Sequence, residues 1–234
     1  MRYTRLPNES AAYSTRREEL RQEEIDLMRQ QEHVAQLRRN LPAGPVVQDY
    51  VFQEGPADLG GGDAPVRDVR LSELFSGADR PLLVYHFMYG KKQTTACPMC
   101  TLWIDGYNGV AHHIRQNVDF VIAAAADPAT LRAHARERGW HNLRLLSAGD
   151  NTFKYDFASE DETGNQDSTM SVFTRDADGR VRHFYTARPS MAEDIPERGI
   201  DLLSPIWNLL DLTPKGRGNW YPELQYTAAA TSKV

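Results

Sequence analysis

Two cysteines constrain this chain more than any other sequence feature. They are the only cysteines among 234 residues, and they lie in the segment Cys97-Pro98-Met99-Cys100. An apolar run, Leu82 to Met88, precedes them, and a segment with helical spacing begins near Thr101. Two thiols three residues apart, after a predicted strand and at the start of a predicted helix, form the arrangement that dithiol–disulfide chemistry requires.

Composition and charge limit the partners that the protein can bind and the cellular compartment in which we expect it. A formal charge of -5 gives no net basic face, which excludes a general affinity for nucleic acid or an anionic membrane. The amino-terminal residues lack the apolar core of a secretory signal, and no apolar run approaches the ~20 residues that span a membrane. We therefore expect a cytoplasmic protein, in which a cysteine pair is catalytic or metal-binding rather than a structural disulfide.

The first part of the chain predicts a long helical arm. Residues 10–40 are rich in Glu, Arg and Gln, and their apolar residues recur every seven positions. Because the second seam of this repeat is polar, we favour an arm docked on a domain over a true coiled coil, while a homodimer formed through this helix stays open. The stripe consists of Tyr13, Leu20, Leu27, Val34 and Leu41.

The rest of the chain predicts an α/β domain. Leu82 to Met88 and Val118 to Ala125 are continuous apolar runs, as in central strands covered on both faces. Helical segments near 101–115 and 129–138 follow these strands, an order that favours a parallel sheet with crossover helices. Residues 169–174 and 181–186 flank an Asp-Gly turn and predict a hairpin that makes the sheet mixed. We divide the chain into an arm at 1–45, a domain at 46–216 and an aromatic, then frayed, tail at 217–234.

Shorter segments give weaker patterns. Alternation over residues 46–52 predicts another strand, and Leu71 to Phe75 predicts a short helix capped by Ser72. Residues 153–157 have no clear period and are interpreted as an ordered connection. Residues 202–210 predict a closing helix.

The position of the cysteine pair indicates its chemistry. At a helix N-terminus, backbone N–H groups and the helix dipole favour the thiolate form of Cys97. Cys97 would then attack a disulfide, peroxide or sulfenic acid, and Cys100, one turn deeper, would resolve the product. A zinc half-site is the first alternative, but His112 and His113 would lie ~18 Å from Cys100 along the helix. A pair of idle thiols is the second, and we expect no metal and no cofactor.

Three further side chains are auxiliary candidates. His86 lies within an apolar run, which favours a satisfied buried histidine over a proton acceptor for the resolving thiol. Trp103 is either a core residue of the helix or part of the rim of the site. Thr95 either hydrogen-bonds near the thiolate or is simply a polar loop residue.

Several segments together resemble the DUF899 family of bacterial thioredoxin-like proteins. The resemblance runs from the amino-terminal helix to about Gly216 and is far more specific than a lone CxxC motif. The segments that carry it are Val84–Met88, Cys97–Gly109, Arg138–Trp140, Phe153–Phe157, Ser171–Phe173 with its Asp-Gly turn, and Leu210–Pro214.

The resemblance implies a thioredoxin-like fold related to peroxiredoxins and a dithiol–disulfide oxidoreductase acting through Cys97 and Cys100. Its partner would be a protein or small-molecule disulfide or thiol. Three departures stand out. Residues 166–170 lack the cis-proline of thioredoxins, and Thr169 occupies that place; the strand before the motif contains no buried acid; and no Thr-Pro pair approaches Cys97, as it does in peroxiredoxins.

Two other functions stay open at this point. One is a non-catalytic thioredoxin-like module that binds a partner through the arm and the aromatic tail around Trp220, Tyr221 and Tyr226. The other is thiol-dependent peroxide reduction. The electron donor, the substrate and the direction of electron transfer are left open by the sequence.

Overall fold

The structure is a computed structural model that describes residues 7–194, 199 and 203–226. The chain divides into two compact units, Met1–Ala43 and Gly44–Val234. No helix in the described part of the chain is both long and apolar enough to cross a membrane.

The first unit contains one long helix, α1 (Ala11–Arg39), which confirms the predicted helix. The Ser10 side chain caps it by accepting a hydrogen bond from the Tyr13 N–H at 3.1 Å. No residue of α1 is buried, and most of the apolar stripe is exposed. The docked arm and the helix-mediated dimer both stay predictions.

The second unit is built on a mixed sheet. In the described residues the sheet has seven strands in the order β2-β1-β5-β4-β3-β6-β7. The strands are β1 (Val51–Glu54), β2 (Arg67–Arg70), β3 (Leu82–Phe87), β4 (Asp119–Ala124), β5 (Arg144–Ser147), β6 (Thr169–Arg175) and β7 (Val181–Ala187). The helices of this unit are α2 (Pro98–Asn117), α3 (Pro128–Arg138), α4 (Phe153–Asp156) and α5 (Ile206–Asp211), with a 3-10 turn at Leu71–Leu74.

Strand β3 organises the sheet. It pairs in parallel with β4, which pairs in parallel with β5, and α2 and α3 form the two crossover connections. On its other side β3 pairs antiparallel with β6, and β6 forms the predicted hairpin with β7. A parallel βαβ unit beside an antiparallel hairpin, with the CxxC motif directly after the central strand, defines a thioredoxin-like fold. The predicted fold class is confirmed.

Alternation along β3 separates two packed layers. Tyr85 and Phe87 point to the layer that contains α2 and α3, where they pack with Cys100 and Trp103. Leu82 and Val84 point to the other layer, which includes Phe153 of α4. Both faces of β3 are therefore covered, which explains its continuous apolar sequence.

Three short elements differ from the predictions. The strand predicted at 46–52 was largely wrong: β1 starts only at Val51, and Val46 forms an isolated bridge to Arg182. The predicted cap at Ser72 was also wrong, because Ser72 lies inside the 3-10 turn and both its N–H and hydroxyl donate to Asp49 at 2.8 Å. Residues 153–156 form a single helical turn instead of an irregular connection.

At the carboxyl end, α5 confirms the later part of the helix predicted at 202–210, while residue 202 lies outside the described residues. The predicted frayed tail at 228–234 also lies outside them.

Candidate redox site

Cys97 is the N-cap residue of α2. Its backbone is extended, with φ -65° and ψ 124°, and Pro98 occupies the first helical turn, where its missing N–H costs no hydrogen bond. The Cys97 N–H donates to the Met88 carbonyl at 3.2 Å, which ties the start of α2 to the end of β3. The intervening loop is closed by a reciprocal pair of hydrogen bonds between Gly90 and Gln93 at 2.8 and 3.1 Å.

The two thiols are adjacent but lie in different environments. The Cys100 N–H donates to Cys97 Sγ at 3.5 Å, the hydrogen bond expected of a side chain that caps a helix. Cys97 is half-buried, whereas Cys100 is completely buried, and both are reduced. The accessible thiol can therefore meet a substrate while the other waits one helical turn behind it.

Hydrogen bonding and burial drive the two thiol pKa values apart. A hydrogen bond from the Cys100 thiol, assisted by the backbone N–H groups of Cys100 and Met99, lowers the pKa of Cys97 to about 7 against the opposing effect of burial. Burial, followed by hydrogen bonding and charge from Cys97, raises the pKa of Cys100 well above its ordinary value. At neutral pH a substantial fraction of Cys97 is therefore thiolate, while Cys100 stays a thiol.

Aromatic side chains surround Cys100. Trp103 is 1% exposed, and its ring meets the Tyr85 ring edge-on at 6.0 Å, while Tyr107 lies 5.5 Å from Tyr85. Burial and the charge of Cys100 raise the pKa of both tyrosines, and the buried Tyr85 hydroxyl has no hydrogen-bond partner among the described residues. Trp103 is thus a core residue that packs directly beside the site.

His86 points into the layer opposite the cysteines. Its ring stacks on Phe153 at 5.0 Å, and both ring nitrogens are hydrogen-bonded to hydroxyls, Nδ1 with Ser159 at 2.6 Å and Nε2 with Ser171 at 2.9 Å. Burial, with the charge of Lys154, holds the pKa of His86 well below its ordinary value, so the ring is neutral. These contacts favour the interpretation as a satisfied buried histidine.

The two threonine candidates differ in burial. Thr95 is exposed, and its carbonyl accepts a hydrogen bond from the Gln93 side chain at 2.7 Å. Thr169 is the first residue of β6, completely buried, and pairs with His86 in the sheet. Its hydroxyl has no hydrogen-bond partner among the described residues. Their roles as auxiliary residues stay predictions.

One functional candidate was missed by sequence reasoning. Lys154 of α4 is 1% exposed, and its ammonium donates to the Phe87 carbonyl at 3.1 Å, at the end of the strand that leads to the cysteines. The available signal was a lysine between two aromatic residues.

Tyr221, in the predicted aromatic tail, is exposed, and its pKa is raised by burial and by the charges of Cys97 and Cys100. Its role in partner binding stays a prediction.

The described residues contain no cluster of three or more potential metal ligands. His112 and His113 lie in the later part of α2, away from the cysteines at its start, and their tilted rings have centroids 3.9 Å apart.

The fold and the site together define a thioredoxin-like protein with an asymmetric CxxC pair at the start of a helix. The chain belongs to the DUF899 family, described as bacterial protein of unknown function, whose profile matches residues 3–230. A search of curated proteins found no match.

Solved structures that resemble the chain include three peroxiredoxins. Peroxidoxin BcpB from Mycobacterium tuberculosis is 16% identical, covers 70% of this chain and 97% of its own, and has a TM-score of 0.48. Reduced Prx3 from Vibrio vulnificus, solved in complex with hydrogen peroxide, is 17% identical, with 70% and 99% covered and a TM-score of 0.46. The reduced 2-Cys peroxiredoxin of Plasmodium vivax is 14% identical, with 68% and 94% covered and a TM-score of 0.45.

Proposed function

We propose that this protein is a thiol–disulfide oxidoreductase in which Cys97 is the nucleophile and Cys100 the resolving thiol. One observation carries the proposal: the half-buried thiol caps α2 and has a pKa of about 7, while the buried thiol one turn away stays protonated. Roughly half of Cys97 is therefore thiolate at neutral pH, against a few per cent for an ordinary cysteine.

The reaction would take two steps. The Cys97 thiolate attacks one sulfur of a substrate disulfide, a mixed disulfide forms, and the first substrate thiolate leaves. Cys100 then loses its proton and attacks Cys97 Sγ; the Cys97–Cys100 disulfide forms, and the second thiolate leaves with the electron pair of the broken bond. The dithiol is oxidised by two electrons and the substrate is reduced to two thiols, so no further reactant is required.

Blocking the second step tests the proposal. We expect a Cys100→Ser variant treated with glutathione disulfide to keep one glutathione bound to Cys97, seen as an added mass that a reductant removes. Wild-type protein should instead form the internal disulfide and release two thiols, and a Cys97→Ser variant, the matched control, should react slowly. Failure of Cys100→Ser to retain the adduct, together with an ordinary pKa for Cys97, would contradict the proposal.

Cysteine variants of this protein also distinguish the proposed reaction from the two other functions. Peroxide reduction requires turnover of hydrogen peroxide that disappears in Cys97→Ser. A non-catalytic binding module requires that partner binding survive replacement of both cysteines by serine. The disulfide reaction is favoured because Cys100 lies within one helical turn of Cys97, as the second step demands.

A further inference from the structure

A buried lysine contacts the Phe87–Met88 peptide group, which joins β3 to the redox loop, residues 88–96. Lys154 is the only lysine that is buried among the described residues, and its ammonium donates to the carbonyl of Phe87. Burial removes the water around this ammonium, and only one protein hydrogen bond replaces it. The free-energy cost of burying the charge is large unless a nearby negative charge stabilises it.

The same peptide group also reaches the resolving thiol. The Phe87 carbonyl accepts from Lys154 at 3.1 Å. The next carbonyl, that of Met88, accepts from the Cys97 N–H at 3.2 Å, and the dipole of the Met88 N–H lowers the pKa of Cys100. A hydrogen bond donated to a peptide carbonyl polarises the group and strengthens the positive end of its dipole at the N–H. Lys154 and Cys100 are thus joined through one peptide, although they belong to opposite layers of the fold.

We propose that Lys154 is a positioning residue for the second step, in which its ammonium acts through the Phe87–Met88 peptide to stabilise the Cys100 thiolate. This inference rests on the proposed function, since it assigns a group to the resolving half of the reaction. No proton transfer to Lys154 is involved: the Cys100 proton leaves to solvent, the thiolate attacks Cys97 Sγ, and Lys154 keeps its charge throughout.

The charges around Lys154 agree with this role. Burial lowers the pKa of Lys154 to about 8, while Cys100, Glu160 and Asp167 raise it and Lys91 lowers it. At neutral pH the ammonium therefore stays mostly protonated, and its charge is available. The charge of Lys154 also acts on His86, whose ring is neutral. Cys100 is the acidic group whose effect on the pKa of Lys154 is largest.

A chromogenic aromatic disulfide separates the two steps in time. Reduced protein mixed with an excess should release one chromophore when Cys97 is modified and a second when Cys100 closes the internal disulfide. In Lys154→Met, a substitution of similar length without charge, we expect the second phase to slow by about threefold at neutral pH, because a rise of one pKa unit lowers the thiolate fraction of Cys100 about tenfold and raises its nucleophilicity about threefold. Its midpoint should move to higher pH, and the first phase should change less than twofold.

Two further variants isolate the charge. Lys154→Arg keeps the charge and should restore much of the second phase. Lys92→Met removes an exposed lysine of the redox loop, whose ammonium donates to the Thr163 carbonyl, and should leave both phases unchanged. An unchanged second phase in folded Lys154→Met would overturn the inference alone, whereas absence of the second phase in wild-type protein would overturn the proposed function.

A measurement on wild-type protein covers the case in which Lys154→Met does not fold. Below about pH 8, where Lys154 is charged, the rate of the second phase should rise about tenfold per pH unit as more Cys100 ionises; above about pH 8 it should rise less steeply, because Lys154 loses its charge. An equally steep rise on both sides of pH 8 would refute the coupling.

Discussion

The low pKa of Cys97 is expected to depend first on the Cys100 thiol. A hydrogen bond to a charged group contributes about 1.5 kcal/mol, and one pKa unit corresponds to about 1.4 kcal/mol. Replacing Cys100 by Ala removes this donor and leaves the backbone N–H groups of Cys100 and Met99 in place. We therefore expect the pKa of Cys97 to rise from about 7 to about 8 in Cys100→Ala.

The titration midpoint is a better readout than the reaction rate. At pH 7 the thiolate fraction of Cys97 should fall about fivefold for a rise of one pKa unit. A more basic thiolate is intrinsically more nucleophilic, by about threefold for one unit, so the alkylation rate at pH 7 should fall less than about twofold. Well above the midpoint, where both proteins are fully ionised, Cys100→Ala should react about three times faster.

Ultraviolet absorbance of the thiolate against pH, combined with alkylation rates across the same range, measures both quantities. Cys100→Ser retains a hydroxyl donor and should raise the midpoint less than Cys100→Ala does. If Cys100→Ala keeps a midpoint near that of the wild-type protein, the helix N–H groups alone set the pKa of Cys97, and the assigned order of causes is wrong.

Three further outcomes follow from the fold and the site. Gly90→Ala should destabilise the protein by at least about 2 kcal/mol, because φ is 97° and a Cβ would lie 2.0 Å from the Ala126 nitrogen. Gly109→Ala has open space around it and should stabilise α2 by about 0.5–1 kcal/mol. Denaturant midpoints of the two variants that shift in the same direction would contradict this. The pKa of buried His86 is depressed, so the stability that its neutral ring contributes is present above about pH 6.5 and is lost as pH falls, by at most about 1.4 kcal/mol per pH unit. His86→Gln should make the free energy of unfolding depend less steeply on pH, as measured by denaturant unfolding at several pH values. Tyr85→Phe removes a buried hydroxyl that has no hydrogen-bond partner among the described residues and should stabilise the protein by about 1 kcal/mol; a lower denaturant midpoint would contradict this.

The long elements could be predicted because their signals are local. β3 is recognisable as a strand covered on both faces, since its apolar run has no alternation. The helix α3 begins at Pro128 after the capping side chain of Asp127 and ends at Gly139 with φ 69°, so each boundary has its own chemical marker. Tertiary contacts were not needed to place these elements.

The short elements could not be predicted, because distant contacts decide them. Residues 46–52 alternate like a strand, but β1 is defined by its pairing with β2 and starts at Val51. Ser72 has the side chain of a helix cap, yet Asp49 accepts both of its hydrogen bonds. The helix α4 has four residues, which is too short for a helical period to appear in a sequence.

The same distinction applies to the candidate site: its local features could be predicted, and those that depend on distant contacts could not. The CxxC spacing predicts the positions of Cys97 and Cys100, since a helix places them one turn apart whatever surrounds them. The contact of Lys154 with β3 could not be predicted, because its two aromatic neighbours indicate burial at most and do not indicate which strand the side chain meets. Its contact with Phe87 joins residues that are 67 positions apart in the chain.

The missing buried acid of the thioredoxins is explained by the geometry of β3. The side chains of β3 that pack in the layer of the cysteines include Tyr85 and Phe87, so this strand places no carboxylate beside Cys100. A peptide group at the end of the strand is accessible from both layers, and Lys154 binds it from the layer opposite Cys100. On our proposal, the residue that acts on the second step therefore belongs to α4, outside the CxxC motif and the residues that flank it.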